Sequence, residues 1–113
     1  MHVCKPDTDY EYEVGRKGMT DEEIIPFLHK LRSANFFTRD LGFYKRQYCH
    51  SNYCLIVLAV GQYEVASFIR RFLRHPHFDT KQKRIGRVIR LTHNGIKIWK
   101  QYLEKEEELK WYL

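Results

Sequence analysis

No stretch of this chain approaches the roughly 18 consecutive apolar residues that a membrane-spanning helix needs. The longest run, Cys54 to Val60, is seven residues, so a helical membrane span is excluded. The amino terminus, Met-His-Val-Cys-Lys-Pro-Asp-Thr-Asp, lacks the apolar core and small-residue cleavage pattern of a secretion signal, and an intracellular, cytoplasmic protein is expected. Only three cysteines are present, Cys4, Cys49 and Cys54. They are too few, and odd in number, for a secreted disulfide framework, and reduced thiols are the default, although Cys49 and Cys54 lie close enough in sequence to pair in an oxidising host. No glycine-rich phosphate loop, His-Glu-x-x-His or nucleophile elbow occurs, so no enzymatic activity, catalytic residue or cofactor is expected. A zinc site assembled from Cys49, Cys54, His75, His77 and His50 has poor spacing, and no metal is expected. Neither an internal repeat nor a Pro/Gly/Ser-rich linker interrupts the chain.

What is present is positive charge, unevenly placed. The 113 residues carry 20 Lys+Arg against 14 Asp+Glu, a net charge of +6, with 43% hydrophobic residues, enough for one domain around one core. Residues 1–26 hold three basic against seven acidic side chains, whereas residues 61–100 hold ten basic against only Glu64 and Asp79. Single-sign charge at that density opposes compaction by self-repulsion, so a polyanionic partner is the economical explanation. A merely solvated basic face is the bland alternative.

Residues 1–19 read as an acidic, Tyr-rich arm, with the alternation of Asp9-Tyr-Glu-Tyr-Glu-Val14 fitting a short strand or a segment laid over a partner surface. The domain proper occupies residues 20–113. Thr20-Asp-Glu-Glu23 forms a capping box for a helix over about 21–34, bearing the apolar stripe Ile24, Ile25, Leu28 and Leu31, with Pro26 as a kink or later start. Thr38 can cap a short turn ended by Gly42. The run 54–60 fits a buried strand or a short buried helix, and Gly61, read as a helix C-cap, favours the helix. From Gln62 to Arg74, Val65, Phe68, Ile69, Phe72 and Leu73 define a buried helical stripe opposite Tyr63, Ser67, Arg70, Arg71 and Arg74, and Pro76 stops it. Residues 78–91 read as a hairpin with a basic tip near Lys83-Arg84-Ile85-Gly86. Thr92 then caps a last helix, 93–112.

This order, closing on Leu91-Thr92-His93-Asn94-Gly95 before a terminal helix, resembles winged helix-turn-helix DNA-binding domains, and the Leu-Thr-x-x-Gly signature is similar to that of MarR-like and PadR-like regulators. The resemblance implies an α+β, mostly helical fold with a two-stranded wing and a C-terminal helix. It further implies a transcriptional regulator that binds double-stranded DNA as a homodimer through helix 93–112.

On the residues themselves, a basic helix face offers donors to a major groove. The expected DNA-binding set is Tyr63, Ser67, Arg70, Arg71 and Arg74 on the helix, with Lys81, Lys83, Arg84 and Arg87 on the wing 78–91, and Lys97 beside them, with Lys100, on phosphates. One alternative is an RNA or single-strand binder using the aromatic and basic segment 36–53. The other is a winged helix that docks an acidic protein.

Overall fold

The structure, a computed structural model, describes residues 2–4, 11–13, 25, 26, 29 and 34–111. Its strands are β1 His2–Cys4, β2 Glu11–Glu13, β3 Ala34–Thr38, β4 Tyr53–Leu58, β5 Arg87–Thr92, β6 Gly95–Lys100 and β7 Glu107–Leu109. They form one seven-stranded mixed sheet in the order β2-β1-β3-β4-β5-β6-β7, of which β3 to β7 make the body and the β1–β2 hairpin an extension. Helix α1, Val65–Arg74, continues a 3-10 turn over Gln62–Glu64, and α2, Lys81–Arg84, is a single turn. The expectation of a mostly helical winged-helix domain is therefore overturned: this protein is sheet-dominated, with one substantial helical segment among the described residues.

The reason begins with burial. Every residue of β3 and of β4 is buried, because β4 lies between two parallel neighbours and both sheet faces are covered. A strand buried on both faces shows no alternation of apolar and polar residues. That is why the run from Cys54 was open to a helical reading, and why Gly61, read as ending a helix, instead precedes one.

Helix 62–74 forms where the sequence places it. Phe68, Ile69 and Phe72 are buried against Phe37, Ile56, Leu58, Ile89 and Leu91, with Val65 and Leu73 packed alongside. Each such apolar side chain removed from water contributes about 1.5–3 kcal/mol. The opposite sheet face is covered by the connection 39–52, whose Phe43 packs with Ala34, Phe36, Tyr53, Leu55, Val57 and Val88. Asp40, not Thr38, caps the 3-10 turn Leu41–Phe43, its carboxylate accepting from the Gly42 amide at 2.9 Å.

The wing and the terminal helix do not form. Residues 78–86 are turns and α2, and β5 is an interior strand parallel to β4 rather than one arm of a projecting hairpin. The segment read as helix 93–112 is β6, a turn and β7. His93 and Asn94 make a two-residue loop between Thr92 and Gly95, which pair across the ladder. The Thr92 hydroxyl donates to the Gly95 carbonyl at 2.9 Å and accepts from the Asn94 amide at 3.2 Å, serving a hairpin rather than a helix cap. The proposed dimerisation helix is thereby removed. Near the amino end, Glu11–Glu13 is a strand, Ile25, Pro26 and His29 are helical, and Ala34 already belongs to β3. The Thr20 capping box and the rest of helix 21–34 lie outside the described residues.

β3, β4 and β5 are adjacent and parallel. The connection from β3 to β4 crosses one face of the sheet, and the α1 connection from β4 to β5 crosses the other. Moving the same way across the sheet on opposite faces, the two connections have opposite hands, an uncommon pairing. Their divergence opens a crevice at the carboxyl ends of β3 and β4, the usual position of a ligand site in open α/β sheets.

Candidate functional site

Two places compete as the functional site, and charge separates them. The crevice at the strand carboxyl ends has a volume of about 380 Å³ and is lined by Phe37, Thr38, Arg39, Asp40, Leu58, Gln62 and Val65. Arg39 donates from Nε to the Val60 carbonyl at 3.1 Å, and Asp40 stands beside it. The helix start that borders the crevice is already occupied: Glu64 accepts the Gly61 amide at 3.1 Å and meets His93 Nε2 at 2.6 Å. Those two hydrogen bonds hold the Glu64 carboxyl below its ordinary range. This end of the sheet carries Arg39, Arg90, Lys97 and Lys110 against Asp40, Glu64 and Glu108, so it is close to electrical balance.

The excess positive charge lies at the other end and on the outside of α1. α1 leaves the carboxyl end of β4, its Phe68 and Arg71 and the following His75 lie along Trp111, and the chain from Arg74 then passes through α2 to Arg87, which begins β5 at its amino end. Lys81 and Lys83 sit in the turn between them, and Lys100 pairs directly opposite Arg87 across the ladder. Arg46 reaches the same end, donating from Nε to the Leu103 carbonyl at 2.8 Å. Over residues 34–111 the chain has 15 basic against 7 acidic side chains.

How those charges are paired is informative. Among the described residues the carboxylates other than Glu104 are taken up by lysine, histidine, tyrosine or backbone: Asp79 by Lys83 at 2.8 Å, Glu107 by Lys100 at 3.1 Å, Glu108 by Lys97 at 3.8 Å, Glu64 by His93, Glu106 by Tyr44 at 2.5 Å and Asp40 by the Gly42 amide. Lys83 holds Asp79 below the usual carboxylate range. Setting Arg71 aside, no arginine among the described residues forms an ion pair with a carboxylate. Arg39, Arg46 and Arg84 bond main-chain carbonyls, and Arg90 lies 6.0 Å over the Tyr44 ring.

The residues expected to meet DNA divide accordingly. Tyr63, 98% exposed, lies with exposed Ser67, Arg70 and Arg74 along one outer stripe of the helix. Arg71 is half-buried, its guanidinium 4.3 Å over Trp111 and 4.9 Å over Phe68, so it belongs to the packing of the carboxyl-terminal segment. Lys81 is exposed, and Lys83 is exposed but held by Asp79 and the Pro76 carbonyl. Arg84 is only 7% exposed and donates to the Phe78 carbonyl at 2.7 Å, which removes it from any surface contact. Arg87 is half-buried, bordering a small cleft with His77 and Lys100. Lys97 is distant from the helix stripe, paired with Glu108 on β7.

Comparison with protein-family profiles, curated proteins and solved structures finds no match.

Of the aromatic segment 36–53, Phe36, Phe37, Phe43 and Tyr53 are buried in the core, leaving Tyr44 and Tyr48 half-exposed. The imagined zinc donors are scattered. Cys54 is buried on the helix face while Cys49 packs on the opposite face, its thiol donating to the Trp99 carbonyl at 3.4 Å. Burial pushes both thiols above their ordinary pKa, which favours the unreactive protonated form. Lys100 was expected on phosphates, whereas Arg46 and Tyr102 were not foreseen as companions of the basic end. The signal available was the alternation Ile96-Lys97-Ile98-Trp99-Lys100, which marks a strand and a turn to follow.

Proposed function

We propose that this protein binds double-stranded DNA, with the outer stripe of α1 entering the major groove and the basic amino end of the sheet lying along the phosphates. The observation that carries the reading is the pairing pattern: most carboxylates are matched to lysine, histidine, tyrosine or backbone, while exposed Arg70 and Arg74 and half-buried Arg87 form no ion pair with a carboxylate. Arginine in that state is the side chain best suited to bidentate contact with phosphate or guanine. An α-helix presenting Tyr63, Ser67, Arg70 and Arg74 fits the roughly 12 Å width of a major groove.

A single-strand reader built on 36–53 is less well supported, since most of its aromatic rings are committed to the core. Duplex occupancy excludes or recruits other DNA-binding proteins, which is the physical means of the regulatory role expected from the sequence. The test is fluorescence anisotropy on blunt duplex DNA with wild type and the Arg70→Ala/Arg74→Ala pair. Salt-steep binding by wild type that falls at least tenfold in the pair supports the reading, and binding indifferent to both arginines overturns it.

A further inference from the structure

The turn between β6 and β7 holds a residue whose position neither packing nor local preference explains. Leu103 donates its amide to the Lys100 carbonyl at 3.3 Å, closing a four-residue turn with Tyr102 third. Tyr102 has φ +69°, the sign a type II turn requires at that place, where glycine or asparagine is normal. A bulky side chain in that region is strained. Its reward is not burial, because Tyr102 is 89% exposed.

Beside it lies an open pocket of about 430 Å³ lined by Arg46, Gln47, Cys49, Lys100, Gln101 and Tyr102, a size within the roughly 300–1,000 Å³ of ligand sites. Its walls hold two cations, two carboxamides, a thiol and an aromatic ring, and no carboxylate. The Arg46 bond to Leu103 fixes the turn against the 3-10 turn Arg46–Tyr48, and the rest of that guanidinium has no partner among the described residues. Lys100 is held by Glu107 at 3.1 Å. The Gln101 amide donates to the Gly86 carbonyl at 3.2 Å, tying the pocket to the turn that precedes Arg87.

We infer that this pocket receives one unpaired nucleotide at the end of a bound duplex, its base stacked on Tyr102 and its phosphate at Arg46, with Gln47 and Gln101 offered to the base edge. Every base has a π-face, so the stack is tolerant of sequence. The inference rests on the nucleic-acid reading above and adds a preference for a duplex carrying a single-stranded end.

The experiment compares a blunt duplex with the same duplex bearing a three-nucleotide overhang, using wild type, Tyr102→Phe and Tyr102→Gly. Wild type and Tyr102→Phe are expected to bind the overhang duplex about tenfold more tightly than the blunt one, and Tyr102→Gly to lose that ratio. Because glycine accepts the turn, Tyr102→Gly is also expected to melt at the same or a higher temperature than wild type. Equal affinity of wild type for the two duplexes overturns the pocket while leaving duplex binding intact, and so does an overhang preference that survives in Tyr102→Gly. A lower melting temperature for Tyr102→Gly overturns it too, since the ring is then structural. Binding to neither duplex overturns the functional reading itself, and this inference with it.

Discussion

The indole of Trp111 donates to the carbonyl of Thr92 at 2.6 Å, joining the carboxyl-terminal segment to the end of β5. The same ring meets Phe68 edge-on at 5.5 Å and His75 at 6.2 Å, and lies under the Arg71 guanidinium. Trp111→Phe removes the donor together with part of the ring's apolar contact. It is expected to lower unfolding free energy by about 1–2 kcal/mol, the cost of leaving a shielded carbonyl unmatched. Urea denaturation measures this, and a change within a few tenths of wild type would show that the hydrogen bond carries no weight.

Gly95 is a second structural bottleneck. A Cβ built there meets the Leu109 carbonyl oxygen at 2.7 Å, and the residue has φ +154°. The obstacle is backbone of the neighbouring strand, so it cannot swing aside as a side chain would. Gly95→Ala is expected to cost at least 2 kcal/mol and to displace β7 from β6. The thermal midpoint together with amide exchange at Ile96 and Leu109 reports both effects. An unchanged midpoint would mean that β7 is not held as described.

The histidines give a pH dependence with a definite sign. His75 is buried, and burial followed by its neighbour His77 lowers its pKa below the ordinary 6.5. His50 is lowered in the same direction by burial and by His29 stacked at 4.1 Å. A group kept neutral in the fold but free to protonate when unfolded stabilises the fold fully above its unfolded pKa, and that stability is lost as pH falls below about 6.5 toward the folded value. Stability is therefore expected to drop between pH 7.5 and 5.5, before carboxylates begin to titrate, with a shallower slope in His75→Gln. A flat wild-type profile in that window is the contrary result.

Lys97 and Arg90 stand directly opposite each other in the β5–β6 ladder. Like charges so placed are mildly destabilising, and the Lys97–Glu108 pair at 3.8 Å is exposed and weak. Lys97→Thr is expected to be neutral or to stabilise by a few tenths of a kcal/mol at low salt, with the gain vanishing in high salt. Loss of stability would show that the Glu108 contact outweighs the repulsion.

For DNA binding, each phosphate neutralised contributes about −0.9 to the slope of log K against log salt. Lys81→Gln/Arg87→Gln, at the basic amino end of the sheet, should flatten that slope by nearly two, whereas Arg84→Gln, a change to a buried residue, should lower stability and leave the slope unchanged. Equal slopes for wild type and the Lys81/Arg87 pair would place the phosphates elsewhere.

Parts of this architecture were legible in the sequence. The stripe Val65, Phe68, Ile69, Phe72 and Leu73 specified α1 and which of its faces is wet, because helical period survives when one side meets solvent. The buried strands were harder: Cys54 to Leu58 has no period since it has no wet side, and Gly61 reads equally as the end of one element or the start of another. Leu91-Thr92-His93-Asn94-Gly95 misled because a threonine before polar residues caps helices and also shapes tight hairpins. Ile96 and Ile98 alternating with Lys97 and Trp99 was the stronger signal. At the basic end the helix arginines could be read directly, while Arg46 and Tyr102 joined it only through β6 and the connection 39–52. Their meeting is tertiary, separated by more than fifty residues of sequence.

The β1–β2 hairpin pairs with β3, whose five residues, Ala-Asn-Phe-Phe-Thr, are all buried. Were β1 and β2 displaced, β3 would become a border of the sheet, with apolar rings flanking a row of unsatisfied amides and carbonyls. Such a border recruits other chains edge to edge. β1 and β2 therefore guard β3 against self-association.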